Sequence, residues 1–245
     1  MQRVTVEDVP SRAYRGLELF LLGPTVLSAL FGIGIIVVGV LSLGSSSGGA
    51  AGTGAAGAAG TGASAGATGA GFTAFLGGMA IVWLLAIVLG LLSIVAVPLF
   101  LYLDASKVAD QDLEWEPSPG LYVVLGFFVS GLAVLHYLYK RHEYVVDWVG
   151  SETWWYVAMA GAALGVVGVV GAALNPIMLG VAMLGLPLFV VGIYRDATFV
   201  RLNSEWRPNP VNHFLIGLLS AVLVVPGVLY FGYFAYKRHS HVGLV

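Results

Sequence analysis

Six apolar stretches, at about 17–43, 72–103, 120–139, 154–174, 177–194 and 213–236, constrain this chain more than any other feature of it. Each meets or approaches the ~18–20 residues that an α-helix needs to cross the hydrocarbon core of a bilayer. No Asp, Glu, Lys or Arg lies deep inside any of them. In lipid every backbone N–H and C=O must be satisfied within the segment, which a helix does. The expected fold is therefore an all-α membrane protein with six transmembrane helices. Composition agrees, since charged residues are only 10% of the chain against ~25% in soluble domains, and mean hydropathy is +0.91.

What lies between the spans is too short for a domain of its own. The longest piece, Gly44–Gly71, has 28 residues, and pieces under ~40 residues rarely fold alone. An extramembrane catalytic domain is thereby excluded. Lys and Arg number 11 against 13 Asp and Glu, and the basic residues never run beyond two together, so no nucleic-acid partner is expected. Cysteine is absent, which removes disulfides, thiolate metal sites and palmitoylation. Residues 44–71 are Gly, Ala, Ser and Thr throughout, a composition that reads as a flexible tether. Within it Gly52, Gly54 and Gly57 spell GxGxxG, but neither the preceding strand nor the following acid that a dinucleotide site needs is present. No cofactor and no metal is expected.

The chain repeats itself. Pro98-Leu99-Phe100 leads to Asp104-Ala105, Val108, then Trp115-Glu116-Pro117-Ser118-Pro119, an apolar span, and Tyr139-Lys140-Arg141-His142 with Val145. The second half runs Pro187-Leu188-Phe189, Asp196-Ala197, Val200, Trp206-Arg207-Pro208-Asn209-Pro210, an apolar span, and Tyr236-Lys237-Arg238-His239 with Val242. The shared order PLF, DAxxV, WxPxP, YKRHxxV marks a duplication whose unit is about three spans. Each motif has an architectural reading. The two Trp settle at the headgroup level, and WxPxP forces an extended entry into the following helix. The aspartates cap a short interfacial helix. Lys-Arg-His places cations at a helix C-terminus, where long stems snorkel to the interface.

The DAxxV, WxPxP and YKRHxxV pattern resembles a group of haloarchaeal multi-pass integral membrane proteins in which such units occur singly or in tandem. The resemblance covers roughly 97–145 and 186–242. It implies an archaeal cell membrane and supplies no activity.

Chemistry is sparse. His136 lies one helical turn from the interface and reads as a packing histidine. Asp110, Asp112, Glu114 and Glu116 alternate, so an extended segment would put all four carboxylates on one face; only Glu205 persists in the second copy, which favours a solvated acidic loop over a cation site. If each span crosses, Asp104 and His142 stand on opposite faces, ~30 Å apart, and cannot form one site. Asp104 and His239 could share a face between inverted units, which keeps an embedded enzyme open. Gly161 and Gly165, with Ala158 and Ala162, line one face of the fourth span. That permits close packing within the chain or a homodimer.

The organisation expected is an N-terminal tail at 1–16, a first span at 17–43, the linker at 44–71, a unit at 72–139, a loop at 140–153, a unit at 154–236 and a tail at 237–245. Three crossings per unit make the second unit inverted relative to the first, with both termini cytoplasmic. Three functions remain open in this order: a membrane scaffold, a small-solute transporter or channel of unknown substrate, and a membrane-embedded enzyme.

Overall fold

The structure is a computed structural model that describes residues 4–5, 9, 11–47, 62–146 and 151–242. Eight helices dominate the described residues. They are α1 (Arg12–Ser47), α2 (Gly62–Ala109), α3 (Pro119–Phe128), α4 (Ser130–Tyr144), α5 (Thr153–Ala172), α6 (Met178–Asn203), α7 (Pro210–Val222) and α8 (Val224–Val242). Two strands, β1 (Val4–Thr5) and β2 (Val145–Val146), pair in parallel with Val4 opposite Val145. Of the Gly/Ala tract, residues 44–47 continue α1 and 62–71 begin α2, so its two ends are helical. Residues 48–61, the centre of the expected tether, and 147–150 in the 140–153 loop lie outside the described residues.

Four helices are long and apolar enough to cross a membrane: Arg12–Leu41, Ala80–Ala109, Thr153–Ala172 and Met178–Asn203. Their apolar side chains face outward to a degree that water would not tolerate. On α2, Ile81, Trp83, Leu84, Leu91 and Val95 are each 60–71% exposed, the pattern of a lipid-facing helix.

The expected spans at 120–139 and 213–236 are not continuous. Each is broken in two, after Phe128 and after Val222, by a single non-helical residue: Val129 (φ −138°, ψ 49°) and Leu223 (φ −119°, ψ 109°). The two pieces then fold back on each other. Tyr122 of α3 packs on Tyr137 of α4 with ring centroids 4.8 Å apart, and the Tyr122 hydroxyl is 3.1 Å from His136 Nδ1. Further from the tip, Trp115 stacks on Tyr144 at 5.9 Å. In the second hairpin His213 of α7 meets Tyr230 of α8 (2.9 Å, Nδ1 to hydroxyl), and Trp206 stacks on His241 at 5.9 Å. At the second break, Pro226 cannot donate to the Val222 carbonyl and its ring crowds that carbonyl, which weakens the helix there. In the first, Ser130-Gly131 follows the β-branched Val129, a weak point for a helix.

WxPxP does set an extended entry. Ser118 and Asn209, each before a proline, have ψ of 110° and 118°, and Pro119 and Pro210 open the next helix, where their missing N–H costs nothing. Asn209 also caps α7 by accepting from Val211 N at 3.1 Å.

The spanning helices interlock through small residues. Ala158, Gly161 and Gly168 of α5 lie against Gly192, the Leu188–Phe189 backbone and Ala182 of α6. Gly32 of α1 lies against Gly180 and Met183 of α6. Gly161 is thus occupied inside the chain, the first of its two expected uses.

Candidate functional site

The charged residues that the fold buries, with His142, gather at one end of the bundle, where α1 begins, α2 and α6 end, and both hairpins have their open ends. Asp104 of α2 is fully buried beside a fully buried Arg141 of α4. Arg141 Nε donates to Asp104 Oδ2 at 2.7 Å, and the Tyr137 hydroxyl donates to the same oxygen at 2.7 Å. The guanidinium lies 3.8 Å over the Tyr14 ring of α1, a desolvated cation–π contact. Asp196 of α6 meets Arg238 of α8 in the same way, with Nε to Oδ2 at 3.0 Å and the guanidinium 5.1 Å from the Trp155 ring of α5. Phe234, packed on Trp206, stands where Tyr137 stands against Trp115, so the second aspartate receives no matching tyrosine hydroxyl.

These contacts correct several expectations at once. Asp104 and the YKRH segment are in direct contact rather than ~30 Å apart, because the intervening apolar stretch turns back instead of crossing. Arg141 and Arg238 do not snorkel; they are spent on buried carboxylates. Asp104 and Asp196 sit inside helices that run on to Ala109 and Asn203, so neither is a cap. Trp115 and Trp206 are half-buried and pin the arms of a hairpin together. Pro117 and Pro208 are buried at the bend into each hairpin. Lys140 pairs at the surface with Glu143 (2.9 Å), Lys237 is half-buried, and His239 is exposed. The pairing of Asp104 with His239 is not realised, since Asp104 is taken by Arg141 and Tyr137. Asp110, Asp112, Glu114 and Glu116 are all exposed or nearly so at the surface.

A second polar cluster joins the two halves of the chain. Glu18 of α1 is buried and receives three donors: the Tyr14 hydroxyl at 2.6 Å, the Tyr194 hydroxyl at 2.9 Å, and Arg195 at 2.8 Å. His142 Nε2 is 2.8 Å from the Tyr194 hydroxyl. That hydroxyl has one proton and gives it to Glu18, so His142 Nε2 carries a proton and donates to Tyr194. His142 lies outside the four spanning helices. Burial above all, then the charges of Arg141, Arg201 and Arg195, hold its imidazole well below the ordinary histidine range. It is a neutral donor at the edge of a five-residue cluster.

Sequence reasoning passes over Glu18, Tyr14, Tyr194 and Arg195. The available signal was small. Glu18 is an acid just inside the first span, four residues after Tyr14, and Arg195 replaces the leucine of Tyr102-Leu103-Asp104 in the otherwise similar Tyr194-Arg195-Asp196. A lone acid and a lone base at two span edges must find each other, because burial of either alone costs several kcal/mol.

At mid-depth, between α5, α6 and the second hairpin, is a cavity of about 510 Å³ lined by Gly161, Ala162, Gly165, Phe189, Val228 and Phe231 among others. Its lining is apolar apart from Ser220, whose hydroxyl is turned to the Gly217 carbonyl at 3.1 Å.

The arrangement ties helices together, and among the described residues no group of three or more His, Cys, Asp or Glu side chains is placed to hold a metal ion. No family model, no curated protein and no solved structure matches the chain.

Proposed function

We propose that the chain is an integral membrane scaffold built from two like units, each of two spanning helices followed by a hairpin that enters the membrane and returns to the side it came from. One observation carries this reading: in each unit the buried Asp–Arg pair ties the end of the second spanning helix to the returning arm of its own hairpin. Where the sequence suggests transport or catalysis, the charges are consumed in holding helices together.

Two crossings per unit is an even number, so the units are parallel, not inverted. Every end that carries charge then falls on one side. The sequence places all 11 Lys and Arg and all 13 Asp and Glu in the termini, in the segments joining α2 to α3, α4 to α5 and α6 to α7, or in the helix ends next to them. The joins on the other side, the Gly/Ala tract and 173–177, hold no charge. The positive-inside rule is decisive for such a distribution and puts the charged end, with both termini, in the cytoplasm. The resemblance to haloarchaeal proteins makes the cell membrane the natural location. The cavity favours a second reading, passage or holding of a small apolar molecule, since its lining is apolar apart from Ser220.

A buried ion pair that serves architecture can be replaced by apolar residues of similar volume at little cost. Asp104→Leu combined with Arg141→Met should therefore yield folded protein that complements a deletion strain. A double variant that melts like the parent in detergent and fails to complement would show that the charges act in a process, and the scaffold reading would fall.

A further inference from the structure

The two hairpins enter the bilayer from one side and turn back inside it, and this has a mechanical consequence. At ~1.5 Å rise per residue, the 10 residues of α3 reach about 15 Å, half of a ~30 Å hydrocarbon core. The 13 residues of α7 reach about 20 Å. The tips are built for lipid: Phe127, Phe128 and Leu132 are 60%, 76% and 68% exposed at the first, and Leu219, Leu223 and Val225 are 70%, 58% and 69% exposed at the second. Residues of that kind at a turn between helices would be expelled from water.

The charged end of the bundle consequently presents eight helical segments in cross-section and the opposite end four. With each helix ~10 Å across including its side chains, four extra segments add roughly 300 Å² to one leaflet. Side-chain size widens the difference. Near the charged end the core is filled by Trp115, Tyr122, Tyr137, Trp155, Phe214 and Phe234. Towards the other end the spanning helices meet through Gly32, Gly39, Gly168, Gly171 and Gly180, which lets backbones approach. The molecule tapers from its charged end.

We infer that the protein is a wedge that partitions to, and when dense generates, bilayer curved so that the leaflet holding the hairpins is the outer, expanded one. Its partner is the curved lipid bilayer itself. This rests on the re-entrant reading of the two hairpins given above. In a membrane whose cytoplasmic leaflet holds the charged end, the curvature favoured bulges towards the cytoplasm.

The chain has no cysteine, so single-cysteine variants report orientation directly. Full-length protein carrying Asp112→Cys in the exposed acidic loop is reconstituted into phosphatidylcholine/phosphatidylglycerol vesicles, which are fractionated by diameter. An impermeant maleimide then reads the outward-to-inward ratio in each fraction. A wedge selects the outward orientation in small vesicles, and the ratio should rise about threefold or more from the largest fraction to the smallest, a shift of ~0.65 kcal/mol. A ratio independent of diameter overturns the inference. Phe127→Ser with Phe128→Ser, at exposed tip positions, should reduce the dependence on diameter; a dependence left intact by that variant overturns its assignment to the hairpins. Glu205→Cys and Leu174→Cys, labelled in the same fractions, separate the two levels of argument. If Glu205 labels from the same side as Asp112 and Leu174 from the other, a flat ratio sinks the wedge alone. If Asp112 and Glu205 label from opposite sides, the re-entrant reading is wrong and the wedge goes with it.

Discussion

Asp104 and Arg141 lie 37 residues apart in the chain and meet at 2.7 Å with neither exposed to solvent. Asp196 and Arg238, 42 residues apart, repeat the contact at 3.0 Å. Both pairs clamp a hairpin to the helix before it, and they make the energetics of the fold testable.

Removing one partner of such a pair leaves the other charge buried, at a cost of about 3–5 kcal/mol. Asp104→Ala and Asp196→Ala should both lower the melting temperature in detergent. The first should lower it more, because Tyr137 also loses its acceptor. Arg141→Lys should not substitute, since an ammonium can neither keep the planar contact over Tyr14 nor reach the carboxylate from the same position. Parent-like melting of Asp104→Ala would remove the clamp from the account of stability.

Trp115 and Trp206 hold hairpin arms together. Each packs on three aromatic or imidazole rings within its hairpin. Being half-buried, each should cost about 2 kcal/mol on truncation to Ala, below the range for a fully buried Trp, while Trp→Phe should keep most of the packing. Thermal unfolding of the two Ala variants in one detergent decides it, and losses that differ several-fold would mean the two hairpins are not built alike.

Gly161 and Gly165 belong to one stripe and should respond with opposite sign. A Cβ on Gly161 runs into the backbone of Leu188 and Phe189, which only a shift of α6 could relieve, whereas a Cβ on Gly165 meets nothing within 4 Å. Gly161→Ala should destabilise by about 1–3 kcal/mol as overpacking does. Gly165→Ala should be neutral or stabilise by up to ~1 kcal/mol through helix propensity. Chemical unfolding of both variants provides the comparison, and a stable Gly161→Ala would mean α5 and α6 are less tightly apposed.

His142 supplies a pH dependence with a definite sign. Its folded-state pKa is depressed by burial and by the neighbouring arginine charges, so the unfolded chain binds the proton more readily than the folded one. Stability is then full above the unfolded value of about 6.5 and is lost as pH falls below it. The difference between parent and His142→Gln isolates the histidine: the parent should lose melting temperature between about pH 6.5 and 5 more steeply than the variant. Parallel curves would show that His142 is not held neutral.

The membrane class, the four spanning helices and the paired motifs were legible in the sequence because they rest on local properties. Apolar length, the extended residue before a proline, and the order of short motifs need no knowledge of partners. The expected third and sixth spans failed for the same reason. Hydropathy counts apolar residues but is blind to direction, and Val129 with Ser130-Gly131, or Leu223 with Pro226, changes direction at almost no cost in hydropathy. On the function proposed above, folding back takes the crossings per unit from three to two, which makes the units parallel and gathers the charges at one end.

What the sequence by itself determined is therefore the kind of solvent this chain requires and the residues that recur in it. What only the tertiary structure decided is which residues touch. Glu18 received no weight from motif or spacing, yet three donors converge on it from α1 and α6. The physical reason is that a buried charge must be paired wherever the chain ends up, and the partner is chosen by the path of the backbone through space. That path turns on two non-helical residues out of 245.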